Sequence, residues 1–198
     1  MRKTASEAPM KVAFSRQRLA KRVGQMGRSI SQDYAGRTLD VVVVLEDSFL
    51  FAADLIRQIS RPVVCHFVRA ELRDVRMGGY FRREVFFSAP PELRGRHVLV
   101  VDALISTGVT QDFLLKRLEE GRPRSLRLAV LIDKREARKV NLEPAYTGFS
   151  GASKYWVGYG LSGRRGLYRN LPYVGLTAPG KQEKQHRRGK DPEGEVRR

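Results

Sequence analysis

Two short unbroken runs of branched apolar residues, Val41-Val42-Val43-Val44-Leu45 and Val98-Leu99-Val100-Val101, most constrain what this chain can become. A strand with one wet face alternates apolar and polar side chains. A strand with no polar face must be covered on both sides, and that is the condition of a parallel sheet flanked by helices. Pro62 to Val68 and Leu126 to Ile132 read as two more strands of this kind. Between them lie helical patterns at Phe49 to Ile59 and Gln111 to Glu120, the second ended by Gly121. Alternating strands and helices predict a doubly wound α/β sheet.

Upstream, Arg16 to Tyr34 carries Leu19, Val23, Met26 and Ile30 at helical spacing, with Gly36 as its stop. Its other face is basic through Arg16, Arg18, Lys21, Arg22 and Arg28. After Ile132 the pattern turns irregular until Tyr155-Trp156-Val157-Gly158. The connection from Arg69 to Arg96 is too long for an ordinary loop and holds Gly78-Gly79-Tyr80 and Ala89-Pro90-Pro91, so it reads as a lid or binding hairpin.

At 198 residues the chain fits one domain, and an apolar content of 41% supplies a core. Charge is the unusual quantity. Lys and Arg number 38 against 21 Asp and Glu, a net charge of +17 that attracts polyanions over long range. Residues 1–38 hold nine basic and two acidic side chains, and residues 177–198 seven and four. Nucleotides, RNA or DNA bound through this basic surface are the partners such a charge suggests; an arginine-rich solvated surface is the competing reading. Any nucleic-acid contact is expected to be phosphate-directed, since the sequence has no aromatic single-strand platform and no zinc spacing.

Cys65, the lone cysteine, follows Val63 and Val64 and is expected to be a buried structural thiol. No h-region and no apolar stretch of membrane-spanning length occurs, so neither secretion nor membrane insertion is expected, and the localisation read from this is cytoplasmic. From Thr177 onward the residues have nothing to bury and read as a disordered basic tail.

The segment Val98 to Thr110 is a buried strand ending near Asp102, then the small-residue turn Ala103-Leu104-Ile105-Ser106-Thr107-Gly108-Val109-Thr110 opening a helix. Hydroxyls and consecutive N–H groups at a helix N-terminus cradle a phosphate, aided by the helix dipole. An ordinary strand-to-helix turn with Ser or Thr as N-cap would look the same. Order and extent narrow the choice: Leu45 to Leu55, Ala129 to Lys134 and Tyr155 to Gly175 follow at matching distances. The last includes Gly158-Tyr159-Gly160-Leu161 and Tyr168-Arg169-Asn170-Leu171-Pro172-Tyr173-Val174-Gly175. Over residues 13–176 the chain resembles the purine (hypoxanthine-guanine type) phosphoribosyltransferases.

That resemblance implies a parallel-sheet type I phosphoribosyltransferase fold with a small hood region, between a flexible N-terminus at 1–12 and the tail at 177–198. It implies a phosphate-binding loop at Ser106, Thr107, Gly108, Val109 and Thr110. Lys134 would lie at the purine's exocyclic oxygen, Tyr155 would stack on the base, the Trp156 backbone would meet the base edge, and Arg169 would reach the pyrophosphate side. It further implies a homo-oligomer, phosphoribosyl diphosphate or a purine nucleotide as ligand, and Mg²⁺ if the protein is active.

The acids that the family's chemistry uses are mostly absent. The adjacent acidic pair of the loop is Asp102 and Ala103, and the general base is replaced by Ser106, which cannot exchange a proton near neutral pH. Ser162 stands for a magnesium-binding aspartate, and a neutral hydroxyl is a poor ligand for that cation. The loop that is Leu-Lys-Gly in the family reads Leu45-Glu46-Asp47-Ser48, placing two carboxylates beside the expected pyrophosphate side; these could also be relocated magnesium ligands. No Ser-Tyr pair for a closing hairpin occurs near Ala70-Glu71-Leu72-Arg73, and Tyr80 is wrongly spaced to replace it. The expectation is therefore a catalytically impaired protein binding a purine nucleotide or other phosphorylated ligand. The alternative is an active enzyme joining a 6-oxopurine to phosphoribosyl diphosphate with release of pyrophosphate.

Overall fold

A computed structural model describes residues 11–77, 80–87, 91–152, 155–163 and 166–177; within 70–77 and 80–87 only the backbone is described. The elements in chain order are β1 (Lys11–Phe14), α1 (Arg16–Asp33), β2 (Leu39–Leu45), α2 (Phe49–Arg57), β3 (Val63–Met77), β4 (Tyr80–Phe87) and β5 (His97–Ile105). There follow α3 (Val109–Glu119), β6 (Ser125–Asp133), β7 (Tyr146–Ser150), β8 (Tyr155–Val157) and β9 (Val174–Thr177). Of the expected flexible start at 1–12 and basic tail at 177–198, residues 1–10 and 178–198 lie outside the described residues, as do Gly78, Gly79, Ala89 and Pro90, whereas Lys11 and Val12 belong to β1 and Thr177 to β9, paired strands rather than loose ends.

Two sheets form. The larger has the order β4-β3-β2-β5-β6-β7, with β3, β2, β5, β6 and β7 parallel and β4 antiparallel to β3. The smaller, β1-β9-β8, is antiparallel and makes the hood. The α/β expectation is met, and the apolar runs do what their composition requires. Alternate β2 residues face opposite ways, Val41 and Val43 into one core with Phe51, Ala52 and Leu55 of α2, Val42 and Val44 into another with Leu114 and Leu118 of α3. Both faces of β2 and β5 are thereby covered.

The spacing of α1 is realised, with Leu19, Val23, Met26 and Ile30 buried and Ser15 as N-cap, its Oγ accepting from the Arg18 N–H at 3.3 Å. Two residues on its basic face are held by packing. Arg18 lies over the rings of Phe14 and Phe149, and Arg22 donates to the carbonyls of Thr147 (2.6 Å) and Gly148 (2.8 Å). Arg16, Lys21 and Arg28 remain exposed.

Two expectations need correction. The stretch before Tyr155 is not wholly irregular, because Tyr146–Ser150 adds the edge strand β7. Its Gly148 hides the pattern: a Cβ there would stand 2.5 Å from the Leu131 carbonyl oxygen, so close backbone approach excludes the side chain that would mark a strand. Cys65 is exposed rather than buried. The pairing of β3 with β4 begins only at Ala70, so residues 63–69 form a sheet edge, where Val64 and Phe67 are exposed as well.

The contact of α1 with α2 depends on a glycine. A Cβ on Gly27 would lie 2.4 Å from the Gln58 Cβ and 2.7 Å from its carbonyl oxygen. Gly27→Ala is expected to cost about 1–3 kcal/mol through overpacking. The loss should appear as a lower urea midpoint at unchanged m-value.

Candidate functional site

The strand order locates the crevice. From β2 the chain runs outward to β3, and from the β3–β4 hairpin it returns to place β5 on the other side of β2. The loops leaving β2 and β5 therefore diverge, one into α2 on one face and one into α3 on the other. Open α/β sheets bind ligands at such a switch point, outside the carboxyl ends of the strands. Three loops meet there, beginning at Glu46, Ser106 and Lys134.

The β5 loop is compact and externally braced. Gly108 is the N-cap of α3 at φ 79°, a conformation favouring glycine, and a Cβ on it would be 2.8 Å from both the Arg138 side chain and Val140. Thr107 Oγ1 accepts from the Val109 N–H at 3.5 Å. Arg138 Nε donates to the Ser106 carbonyl at 3.2 Å, and the Lys139 N–H to the Thr107 carbonyl at 2.9 Å. Arg138 is itself fixed by a buried ion pair with Asp133. The five residues of the expected phosphate loop thus form one turn at the start of a helix. Their amide and hydroxyl groups present the kind of surface an anion binds.

Asp102 does not end its strand. β5 continues to Ile105, and the Asp102 side chain is buried. Oδ1 accepts from Ser48 Oγ at 3.1 Å and Oδ2 from Gln111 Nε2 at 2.7 Å, while Ser48 Oγ accepts the Ala103 N–H at 2.9 Å. Burial pushes the Asp102 carboxyl above its ordinary range, and the bonds from Gln111, Ser48 and the Ala103 and Leu104 amides hold the rise back. The methyl of Ala103 is fully enclosed within the apolar core.

The β2 loop has a different electrostatic character. The Leu45–Glu46 peptide is cis. Arg169 pairs with Asp47, pairs with Glu46 at 3.2 Å, and donates to the Gly160 carbonyl at 2.8 Å. Arg69 meets Glu46 at 3.0 Å, and Ser162 Oγ donates to Asp47 at 3.1 Å. Gly160 is required beside this loop, since a Cβ on it would be 2.5 Å from the Asp47 carbonyl oxygen. The Glu46 and Asp47 side chains are 53% and 44% exposed, so solvent screens these pairs and each adds at most about 1 kcal/mol to stability.

At the third loop, the Lys134 N–H donates to the Ile105 carbonyl at 2.9 Å, tying the β6 loop to the end of β5. Burial lowers the Lys134 ammonium below its ordinary range. Tyr155 is exposed, whereas the Trp156 ring stacks on Phe14 at 5.4 Å in the hood. Arg138, which sequence reasoning missed, braces the loop at Ser106 from 32 residues downstream with no local signal to mark it.

A protein-held magnesium does not fit these side chains. Both Asp102 oxygens are engaged in a buried site, Ala103 offers no donor, and Glu46, Asp47 and Ser162 are bonded to one another or to arginine. Among the described residues no group of three potential ligands converges.

A family model described as phosphoribosyl transferase domain matches residues 14–161. The chain is 31% identical to a hypoxanthine-guanine phosphoribosyltransferase of Streptococcus pneumoniae over 166 residues, covering 84% of this chain and 92% of that one. It is 32% identical to one from Dictyostelium discoideum over 168 residues, covering 83% and 93%. A solved hypoxanthine-guanine phosphoribosyltransferase of Bacillus anthracis superposes with a TM-score of 0.74 at 32% identity, covering 85% of this chain and 97% of that one.

Ser48→Ala would strip one partner from a buried carboxylate and remove the hydroxyl oxygen that accepts the Ala103 N–H. The expected loss is about 1–3 kcal/mol in chemical denaturation at pH 7. The sign with pH follows from the raised Asp102 value. The folded chain keeps this proton to higher pH than the unfolded chain, so stability falls as pH rises from the unfolded value through the folded one. Losing the Ser48 hydroxyl, which favours the ionised form, should therefore cost more at neutral than at acid pH.

Proposed function

The chain belongs to the phosphoribosyl transferase domain family, of the hypoxanthine-guanine type, and from that premise we propose that it binds a purine nucleotide at the β2–β5 crevice with impaired transferase turnover. The observation carrying this reading is the state of Asp102. It is the remaining acid of the loop, and its two oxygens serve Ser48 and Gln111 inside the protein.

Binding and chemistry separate on physical grounds. Binding needs the anion-accepting turn at Ser106 to Thr110, a donor near the base at Lys134 and an aromatic face at Tyr155, and all three are kept in this reading. Turnover needs a group that removes or delivers a proton, and removing a general acid or base lowers rates about 10²–10⁴-fold. Ser106, with no carboxyl, supplies none, and Ala103 has been absorbed into the core. Cation handling is weakened by the same substitutions.

The test is a coupled assay with hypoxanthine, guanine and xanthine, phosphoribosyl diphosphate and Mg²⁺, beside calorimetric titration with guanosine 5′-monophosphate. Expected are nucleotide binding and turnover at least about 100-fold below an ordinary enzyme value near 10 s⁻¹. Ser106→Asp, at a half-buried position, should recover at least about tenfold by restoring a proton-exchanging group. Ordinary turnover by the unaltered chain would establish the active purine-salvage enzyme instead.

A further inference from the structure

The two halves of the crevice differ in what they can offer an anion. The β5 half presents the first turn of α3, with the hydroxyls of Ser106 and Thr107 and a dipole equivalent to about half a positive charge. That suits one phosphate group. The β2 half contains a cation, Arg169, but the chain has already supplied its counter-ions. Both terminal nitrogens of Arg169 are directed at Asp47 and Glu46, one of them also at the Gly160 carbonyl, and the Ser162 hydroxyl points at Asp47. The second side of Glu46 is taken by Arg69. Among the described residues the two carboxylates and two guanidiniums of this cluster balance, so the cluster offers a further anion no net attraction, and an anion reaching Arg169 must displace carboxylates that stay close by and repel it.

We propose that this crevice takes a nucleotide bearing a single phosphate group and rejects a ligand with a diphosphate at its other end, because Glu46 and Asp47 occupy the cation such a diphosphate would need. The inference rests on the nucleotide reading above. It assigns the ion-pair cluster a role that its small worth to stability does not explain: the cluster sets which phosphorylated ligand enters. Ser48 places the two carboxylates, since its hydroxyl fastens the β2 loop to Asp102 and Ala103 of β5.

Ribose 5-phosphate and phosphoribosyl diphosphate differ only by the diphosphate, so their affinity ratio isolates this end of the crevice. Intact protein should be titrated calorimetrically with both, and with guanosine 5′-monophosphate, in the presence of Mg²⁺. Expected are binding of the monophosphate nucleotide and a diphosphate that improves affinity by no more than about threefold. In the double variant Glu46→Gln, Asp47→Asn the diphosphate should then gain at least about tenfold, as removing two nearby like charges predicts. Glu46→Gln alone, at a half-exposed side chain, tests the same shift in a smaller degree should the double variant be unstable.

A diphosphate preferred more than about threefold by the unaltered chain, or a ratio left unchanged by the variants, would overturn the inference while nucleotide binding stood. Absence of binding by guanosine 5′-monophosphate would instead sink the nucleotide reading, and the inference with it.

Discussion

The Ser48 hydroxyl is the contact on which the arrangement of the crevice depends. It accepts from the Ala103 amide and donates to the Asp102 carboxylate, so one side chain closes a bridge between the loop after β2 and the strand β5. The bridge is buried, where an unmade hydrogen bond is costly. It fixes where α2 begins, because Ser48 is also its N-cap residue and its carbonyl accepts the first helical bond from Ala52 at 2.8 Å. Just before Ser48, Asp47 meets Ser162 and Arg169, and Glu46 is shared between Arg169 and Arg69.

The same bridge decides what Asp102 can do. A carboxylate that binds a sugar hydroxyl or a cation needs lone pairs directed at the ligand. This one has a hydroxyl on one oxygen and an amide on the other, and burial raises its proton affinity. Its neighbour Ala103 has gone further, with a methyl packed into the core of β2, β5 and α2. Both positions serve internal structure in this chain, one by hydrogen bonding and one by packing. The bracing of the turn at Ser106 and Thr107, by Arg138 and the Lys139 N–H, uses carbonyl oxygens and not the hydroxyls or amides of the turn.

Features set by local periodicity were legible in the sequence. The runs at Val41 and Val98 required a sheet covered on both faces, and the spacing from Leu19 to Ile30 required a buried helical stripe. Features set by distant partners were not. Gly148 in β7 is a glycine because of the Leu131 backbone, which no local pattern reports. Cys65 follows two valines, yet its exposure depends on where β4 starts to pair with β3. Arg169 and its carboxylates are more than 120 residues apart in sequence, so nothing local to the acidic loop reports that its charges are matched.

Net charge and local charge answer different questions here. The +17 of the chain acts over the long range and draws any phosphorylated molecule toward the surface. At the crevice the distances are short, and under the proposed reading selection would follow from the carboxylate partners of Arg169 on the β2 side and from the amides at the start of α3 on the β5 side. An excess of arginine need not mean free cations at every surface: Arg169 is matched by Asp47 and Glu46, while Arg16, Lys21 and Arg28 are exposed on α1. Under that reading, attraction would come from the surface as a whole and discrimination from a few pairs, whose acids Glu46 and Asp47 stand where the resemblance implies Lys and Gly.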